Sequence, residues 1–346
     1  MPSQISVGLM GLGIMGTGHL DNLLKMPDVS VTALWDINPA RARDFAGRVG
    51  EHCRPFEDYH DLIEHSGIDA LFIAIPPHTH TDHEILAAQR GIPFLLEKPV
   101  HRSLVQALEI ERQISETGVL HAAGFHNRYL PQAGVARQEI ADSTVGMVMG
   151  FAFWSQPSGH NLTPYHSWLF NRELGGGQIF EHTTHIFDLC RFFVGEIRSV
   201  YCRQATRLDH SNIPGYSTSD VDAVVLEFEN GELGLVGDGH MTPSSYWWGV
   251  RVMTDRAIFE YDANMLRTIR QERTDKYRPA LPDGIHMPQD AAFIEAVRSG
   301  DRGLIRSDYR NGIENMAVSL AALESADCGQ PVEVASVIER AEGPAR

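Results

Sequence analysis

The chain has 346 residues, 43% of them hydrophobic and 21% charged, with a formal net charge of -16. At roughly 100–200 residues per domain, that length suggests two soluble domains with sizeable cores. So acidic a surface repels phosphates, which speaks against nucleic acid or an anionic membrane as partner. The four cysteines, Cys53, Cys190, Cys202 and Cys328, are scattered without CxxC spacing. They read as thiols of a reducing compartment, not as a disulfide frame or zinc site. The first apolar stretch lacks a basic n-region and a small-residue cleavage signal, so it fits a buried strand better than a signal peptide. No run of 18 uncharged apolar residues predicts a membrane span. The expected location is cytoplasmic.

Residues 1 to about 125 alternate short apolar runs with helical patterns. ISVGLMG (5–11) predicts a strand, residues 15–25 a helix and VSVTALWD (29–36) a second strand. Residues 39–48 predict a helix with Pro39 near its start. DALFIAIP (69–76) is a continuous apolar run, as in a strand buried on both faces. Residues 79–90 are helical, IPFLLEKP (92–99) is a strand, 103–117 a helix and VLHAAGF (119–125) a short strand. This alternation implies a doubly wound parallel sheet with helices on both faces. A second domain, 126–346, follows a different pattern. Strands are expected at 146–155, 197–206, 221–229, 232–239, 248–255 and 257–261, with EFENGE (227–232) as a hairpin turn. Long helices at roughly 177–194 and 309–327 accompany them. The expectation is an open, mostly antiparallel sheet packed on helices, with the last helix able to fold back onto the first domain.

The turn GLGIMG (11–16) follows a strand and opens a helix. Gly11 permits the tight turn, Gly13 lets backbone approach a pyrophosphate, and Gly16 allows close helix–strand packing. The helix N-terminus offers free N–H groups and positive dipole to phosphates. Ile14 and Met15 sit in the same turn and are assigned to the cofactor with the glycines. Asp36, 20 residues beyond Gly16, ends the second strand, where a carboxylate accepts the adenosine ribose hydroxyls. Such a carboxylate repels a 2′-phosphate and favours NAD, while Arg41 and Arg43 leave NADP open.

In FLLEKPV (94–100), Lys98 ends a buried strand, at the edge that faces the ligand crevice of a doubly wound sheet. Pro99 restricts it to extended backbone and ends strand pairing. In LGGGQIFEHTTHIFDLCRFFVGE (174–196), Glu181, His185 and Asp188 fall at i, i+4 and i+7, which places them on one stripe of a single helix. The alternatives are a solvated polar face, or a metal site of Glu181, His182 and His185. No second ligand motif accompanies the latter, so no metal is assigned.

EKP, GFHNRYLP (124–131), IPPHTH (75–80) and GGGQIFEHTTHIFDL together resemble the glucose–fructose oxidoreductase / inositol dehydrogenase (Gfo/Idh/MocA) family. The resemblance spans nearly the whole chain. It implies an N-terminal Rossmann domain and a C-terminal α/β domain that often forms the oligomer contact, hence a homodimer or homotetramer. It implies NAD(P)-dependent oxidation of a sugar or cyclitol hydroxyl, or reduction of the ketone. The family's lysine falls on Lys98, and its helix acid and histidine fall on Glu181 and His185. Here the acid is glutamate in place of aspartate, and Ile75 replaces a threonine before Pro76. Pro76, His80, Glu97, Lys98 and Asn127 are assigned to the cofactor.

Hydride transfer needs a base for the hydroxyl proton and a cation for the developing alkoxide. His185 suits the base and Lys98 the cation, on opposite domains across the nicotinamide. Glu181 is expected to orient a neighbouring hydroxyl or to tune His185. Arg128 and Trp168 join the substrate set, and Trp154 and Tyr165 offer flat faces to a sugar ring or pack in the core. Two other functions fit the same motifs. One is an NAD-dependent glycosidase acting by transient oxidation; the other is a non-enzymatic NAD or sugar sensor, against which the presence of both Lys98 and His185 speaks.

Overall fold

The computed structural model describes residues 4–64, 67–155, 167–244 and 246–343. Tyr165 and the Trp154 side chain lie outside the described residues. The chain divides into two compact units, Met1–Tyr129 with Leu281–Gly312, and Leu130–Ala280 with Ile313–Arg346. This differs from a single cut near residue 125. The late segment Leu281–Gly312 belongs to the first unit, and the closing residues belong to the second.

The first unit begins β1 (Ile5–Met10), α1 (Ile14–Leu23), β2 (Val29–Trp35), α2 (Pro39–Val49), β3 (Arg54–Phe56) and α3 (Tyr59–Ile63). It continues β4 (Ala70–Ile73), α4 (His83–Gln89), β5 (Phe94–Leu96), α5 (Leu104–Thr117) and β6 (His121–Ala123). The strands form a parallel sheet in the order β3-β2-β1-β4-β5-β6. Strand order reverses between β1 and β4, which opens a crevice at their C-terminal ends. All four residues of β4 are buried, as a central strand covered on both faces requires. Local signals set the helices: α5 starts at Ser103, whose hydroxyl accepts from Gln106 N–H, and buries Leu104, Ala107, Ile110 and Ile114 on one stripe.

The second unit begins with α6 (Pro131–Ala141) and β7 (Val145–Ser155), then α7 (Gln178–Glu181) and α8 (Thr184–Phe193). β8 (Ile197–Ala205), β9 (Val221–Phe228), β10 (Leu233–Thr242), β11 (Trp248–Thr254), β12 (Ile258–Asp262), β13 (Met265–Ile269) and β14 (Thr274–Tyr277) follow. After α9 (Met287–Ser299) of the first unit come α10 (Tyr309–Cys328), β15 (Val332–Glu333) and α11 (Val334–Glu342). The sheet runs β14-β13-β12-β11-β7-β10-β9-β8-β15, antiparallel except where β7 and β10 pair in parallel. The EFENGE turn joins β9 to β10, as expected. Elements the periodicity missed are short, such as β3 and β14, or weakly amphipathic, such as α6 and α9.

The expected helix over 177–194 is broken. Thr183 N–H reaches back five residues to Gln178 O, whereas His185 and Ile186 N–H reach back only three. The Thr183 hydroxyl instead donates to the buried Asp238 carboxylate. Glu181 therefore ends one helix and His185 lies in the first turn of the next, and no single stripe carries Glu181, His185 and Asp188.

The glycine turn is the tightest point of the first unit. Gly11 has φ +84°, and a Cβ there would lie 2.3 Å from Ala74 O. A Cβ on Gly16 would lie 1.8 Å from Gly11 O, so α1 can approach the end of β1 only without a side chain. Gly16→Ala should therefore cost about 1–3 kcal/mol, as overpacking against backbone does, seen as a lower Tm. Gly13→Ala, whose added Cβ meets nothing within 4 Å, should cost clearly less. Equal melting temperatures for the two variants would contradict this packing.

Candidate active site

β1 and β2 deliver the turn and the acid to the same place. Leu12 N–H donates to Asp36 Oδ2 at 2.8 Å, and Asn38 N–H donates to Oδ1 at 2.8 Å. Gly11 N–H donates to Trp35 O at 2.8 Å. Asp36 is 3% exposed, and Arg41 Nη1 lies 3.5 Å from its Oδ2. A carboxylate has about four lone-pair sites, so both oxygens keep capacity for ribose hydroxyls. Gly13 is exposed at the N-cap of α1, and the space its Cβ would take is open; Ile14 beside it is 67% exposed. An open, side-chain-free helix N-terminus beside a held carboxylate fits a dinucleotide. At the end of β4, Pro76 closes a turn with Thr79. His80 points into the unit, where its Nδ1 meets the buried Glu84 carboxylate and its Nε2 lies 3.4 Å from Ile75 O.

β5 carries Lys98 at its end. Glu97 N–H still donates to Ile73 O at 2.8 Å, and the Lys98–Pro99 bond is cis. The Glu97 side chain enters the interior. There His19 Nε2 lies 3.1 Å from Glu97 Oε1, and His19 Nδ1 lies 2.9 Å from Asp290 Oδ1. Asn22 Nδ2 donates to Asp290 Oδ2 at 2.7 Å. Burial pulls the His19 pKa down, but the Asp290 and Glu97 carboxylates outweigh it and push it up to about 10. Burial pushes Glu97 up, but its hydrogen bond and charge interaction with His19 bring it below the usual carboxylate value. The His126 and His286 rings lie 4.1 Å apart, tilted at 47°, beside this group, and burial lowers both. Asn127 and Arg128 are buried in the turn after β6, and the Arg128 guanidinium donates to Arg306 O.

His19 and Asp290 are site residues the sequence analysis missed. His19 stands three residues after Gly16 beside apolar Leu20 and Leu23, where a lone histidine reads as core. Asp290 lies on α9, which had no strong periodicity.

In the second unit, Trp168 lies in a 3-10 turn, Ser167–Phe170, below Gly175. Glu181 and His185 are half-buried, and the His185 ring lies 6.4 Å from that of Trp248, edge to face. Asp188 is fully interior, where its charge acts on Arg191 and Cys190. His182 pairs with Gln178 at 3.0 Å. Among the described residues, no group of three or more His, Cys, Asp or Glu side chains is arranged to hold a metal ion.

Beneath the helix break lies an acid pair. Asp222 on β9 and Asp238 on β10 are directly opposite in register and both buried. Like charges so placed repel, and one proton shared between them removes the repulsion. Burial first, then Asp222, pushes the Asp238 carboxyl well above the usual value. The folded unit thus keeps a proton that the unfolded chain releases above about pH 4. The pair's contribution to stability is greatest in acid and falls as pH rises through that window towards the raised folded value. Asp238→Asn keeps an acceptor for Thr183 and offers an N–H to Asp222. Its stability should decline less steeply between about pH 5 and 8, with a gain of roughly 1 kcal/mol at pH 8. Denaturant titrations at several pH values measure this; an unchanged slope would show that the pair does not share the proton.

The chain matches two family descriptions, "Oxidoreductase family, NAD-binding Rossmann fold" over residues 5–125 and "GFO/IDH/MocA C-terminal domain" over residues 135–260. It is 27% identical to scyllo-inositol 2-dehydrogenase (NAD(+)) of Bacillus subtilis (strain 168), covering 96% of this chain and 97% of that protein. It is 24% identical to myo-inositol 2-dehydrogenase of Thermotoga maritima, covering 96% and 99%. In fold it is similar to levoglucosan dehydrogenase in complex with NADH and levoglucosan, with a TM-score of 0.85, 19% identity, and 95% and 98% of the two chains covered. With both domains matched in order over a parallel Rossmann sheet and a mixed open sheet, the chain belongs to the Gfo/Idh/MocA family of NAD-binding oxidoreductases.

Proposed function

We propose that the protein is an NAD-dependent dehydrogenase acting on a secondary hydroxyl of a cyclitol or sugar. The observation that carries this is Asp36 bonded to the glycine turn at Leu12 N–H, 2.8 Å away, in a chain of this oxidoreductase family. Inositol and levoglucosan dehydrogenases among its relatives point to the substrate class. Gly11, Gly13, Ile14, Met15 and Gly16 would line the dinucleotide, and Asp36 the ribose. Bound NAD supplies the hydride acceptor. His185 takes the hydroxyl proton, a role that suits an imidazole because the unperturbed side chain, with pKa ~6.5, changes charge near working pH. The Lys98 ammonium stabilises the oxygen as its negative charge develops. Glu181 holds a neighbouring hydroxyl and so fixes which carbon is oxidised, with Trp168 and Arg128 contributing to substrate binding.

The assembly we propose is a homodimer or homotetramer in the cytoplasm. Val225 and Leu235 are paired neighbours on the outer face of the β9–β10 hairpin, and with Leu233 they form an exposed apolar row. A contact between copies would cover that row. Among the described residues no helix is long and apolar enough to cross a membrane.

A panel of inositols and sugars, followed by NADH absorbance, tests the activity; no turnover on any secondary alcohol would refute it. NAD should bind more tightly than NADP, and Asp36→Ala should narrow the difference, measured by titration calorimetry.

Lys98→Ala should lower turnover about 10²–10³-fold, like loss of an oxyanion donor, and His185→Ala about 10²–10⁴-fold. If both serve one proton-transfer step, the double variant should lose much less than the product of the two. Full multiplicativity would assign them to separate steps.

A further inference from the structure

The reading of Lys98 as the alkoxide's cation leaves a buried charge group beside it unexplained. Three elements contribute: His19 from α1, Glu97 from the end of β5, and Asp290 from α9. His19 is 1% exposed, and each of its ring nitrogens faces a carboxylate oxygen, at 2.9 and 3.1 Å. An ionised carboxylate only accepts, and a neutral imidazole has one N–H. Two carboxylate neighbours therefore call for an imidazolium. Asn22 satisfies the other oxygen of Asp290. The Phe72 ring of β4 closes one side, 5.3 Å from the His19 ring.

The Glu97 backbone is tied to Ile73, and its carboxylate fills space that Gly124 leaves, where a Cβ would fall 2.8 Å from Oε1. The other titratable groups around it are His286, His126 and Lys98. Burial keeps both histidines neutral near pH 7. Glu97 and Asp290 bring two negative charges and His19 one positive, so the group, joined to Lys98 through its chain neighbour Glu97, carries one net negative charge.

We propose that His19 is a positioning residue for Lys98: its positive charge, gripped between Asp290 and Glu97, offsets the carboxylate of the residue next to the lysine in the chain. Glu97, already paired, then draws less on the amine, which can pass a hydrogen bond, or its proton, to a substrate oxygen. Without His19, the uncompensated Glu97 carboxylate would hold the ammonium more firmly.

The test reads the amine directly in the ligand-free protein. The chain has only three lysines, Lys25, Lys98 and Lys276, so 13Cε-lysine NMR resolves them, with Lys98→Arg assigning the signal. In His19→Gln the Lys98 amine should titrate about one pH unit higher or more, the scale of one nearby charge. In His19→Gln/Glu97→Gln, which restores one net negative charge, it should return close to its original value. The Lys25 and Lys276 signals should not move. A Lys98 titration that stays put in His19→Gln overturns the proposal. Should that variant fail to fold, the intact protein still decides: His19 should show an imidazolium 15N signature at pH 8, and a neutral ring there overturns it. Failure of the proposed function is separate, since it would appear as normal turnover in Lys98→Ala, whatever the amine's titration.

Discussion

The first unit is organised around one buried ionic contact, the His19 ring between Glu97 and Asp290. It ties the helix that opens at the glycine turn to the strand end that carries Lys98, and ties both to Asp290, 271 residues after His19. Removing one partner from such a contact leaves an uncompensated buried charge, at a cost of about 3–5 kcal/mol. The contact therefore also explains why Leu281–Gly312 belongs to this unit. Apolar packing supports it, since Phe293 of α9 meets Phe72 of the central strand edge to face at 5.3 Å.

Two close contacts set the position of everything around that group. Gly16 lets α1 come against Gly11, which brings His19 down to the level of Glu97. Gly124 leaves room for the Glu97 carboxylate itself. The glycine turn and the strand end that carries Lys98 are thus two ends of one packed assembly. Backbone approach at Gly16 and charge compensation at His19 act together there.

In the second unit one buried acid pair is accommodated by protonation. Asp222 and Asp238 point into the sheet's packed face with Val224, Leu226 and Val236, and sharing a proton spares them a full ionic repulsion. Their partner Thr183 marks the point where the helix breaks. Glu181 and His185 are consequently set by two short helices with separate axes. A continuous helix would have placed them one turn apart on the same stripe.

Much of this protein was legible locally. Glycine spacing, a strand-end acid and the alternation of apolar runs and helices determined a Rossmann unit, because those signals depend on near neighbours in sequence and on the period of each element. Alternation and turn chemistry likewise marked the β9–β10 hairpin. Motifs in combination, EKP with GGGQIFEHTTH, pointed to the family. Tertiary structure alone decided the rest. The return of Leu281–Gly312, the pairing of His19 with Asp290, the opposition of Asp222 and Asp238 and the break at Thr183 each join residues 55 to 271 positions apart, or 16 apart across a hairpin whose register must first be set. Buried charge is balanced by whatever partner the fold brings within hydrogen-bond reach, and sequence spacing carries no record of that distance.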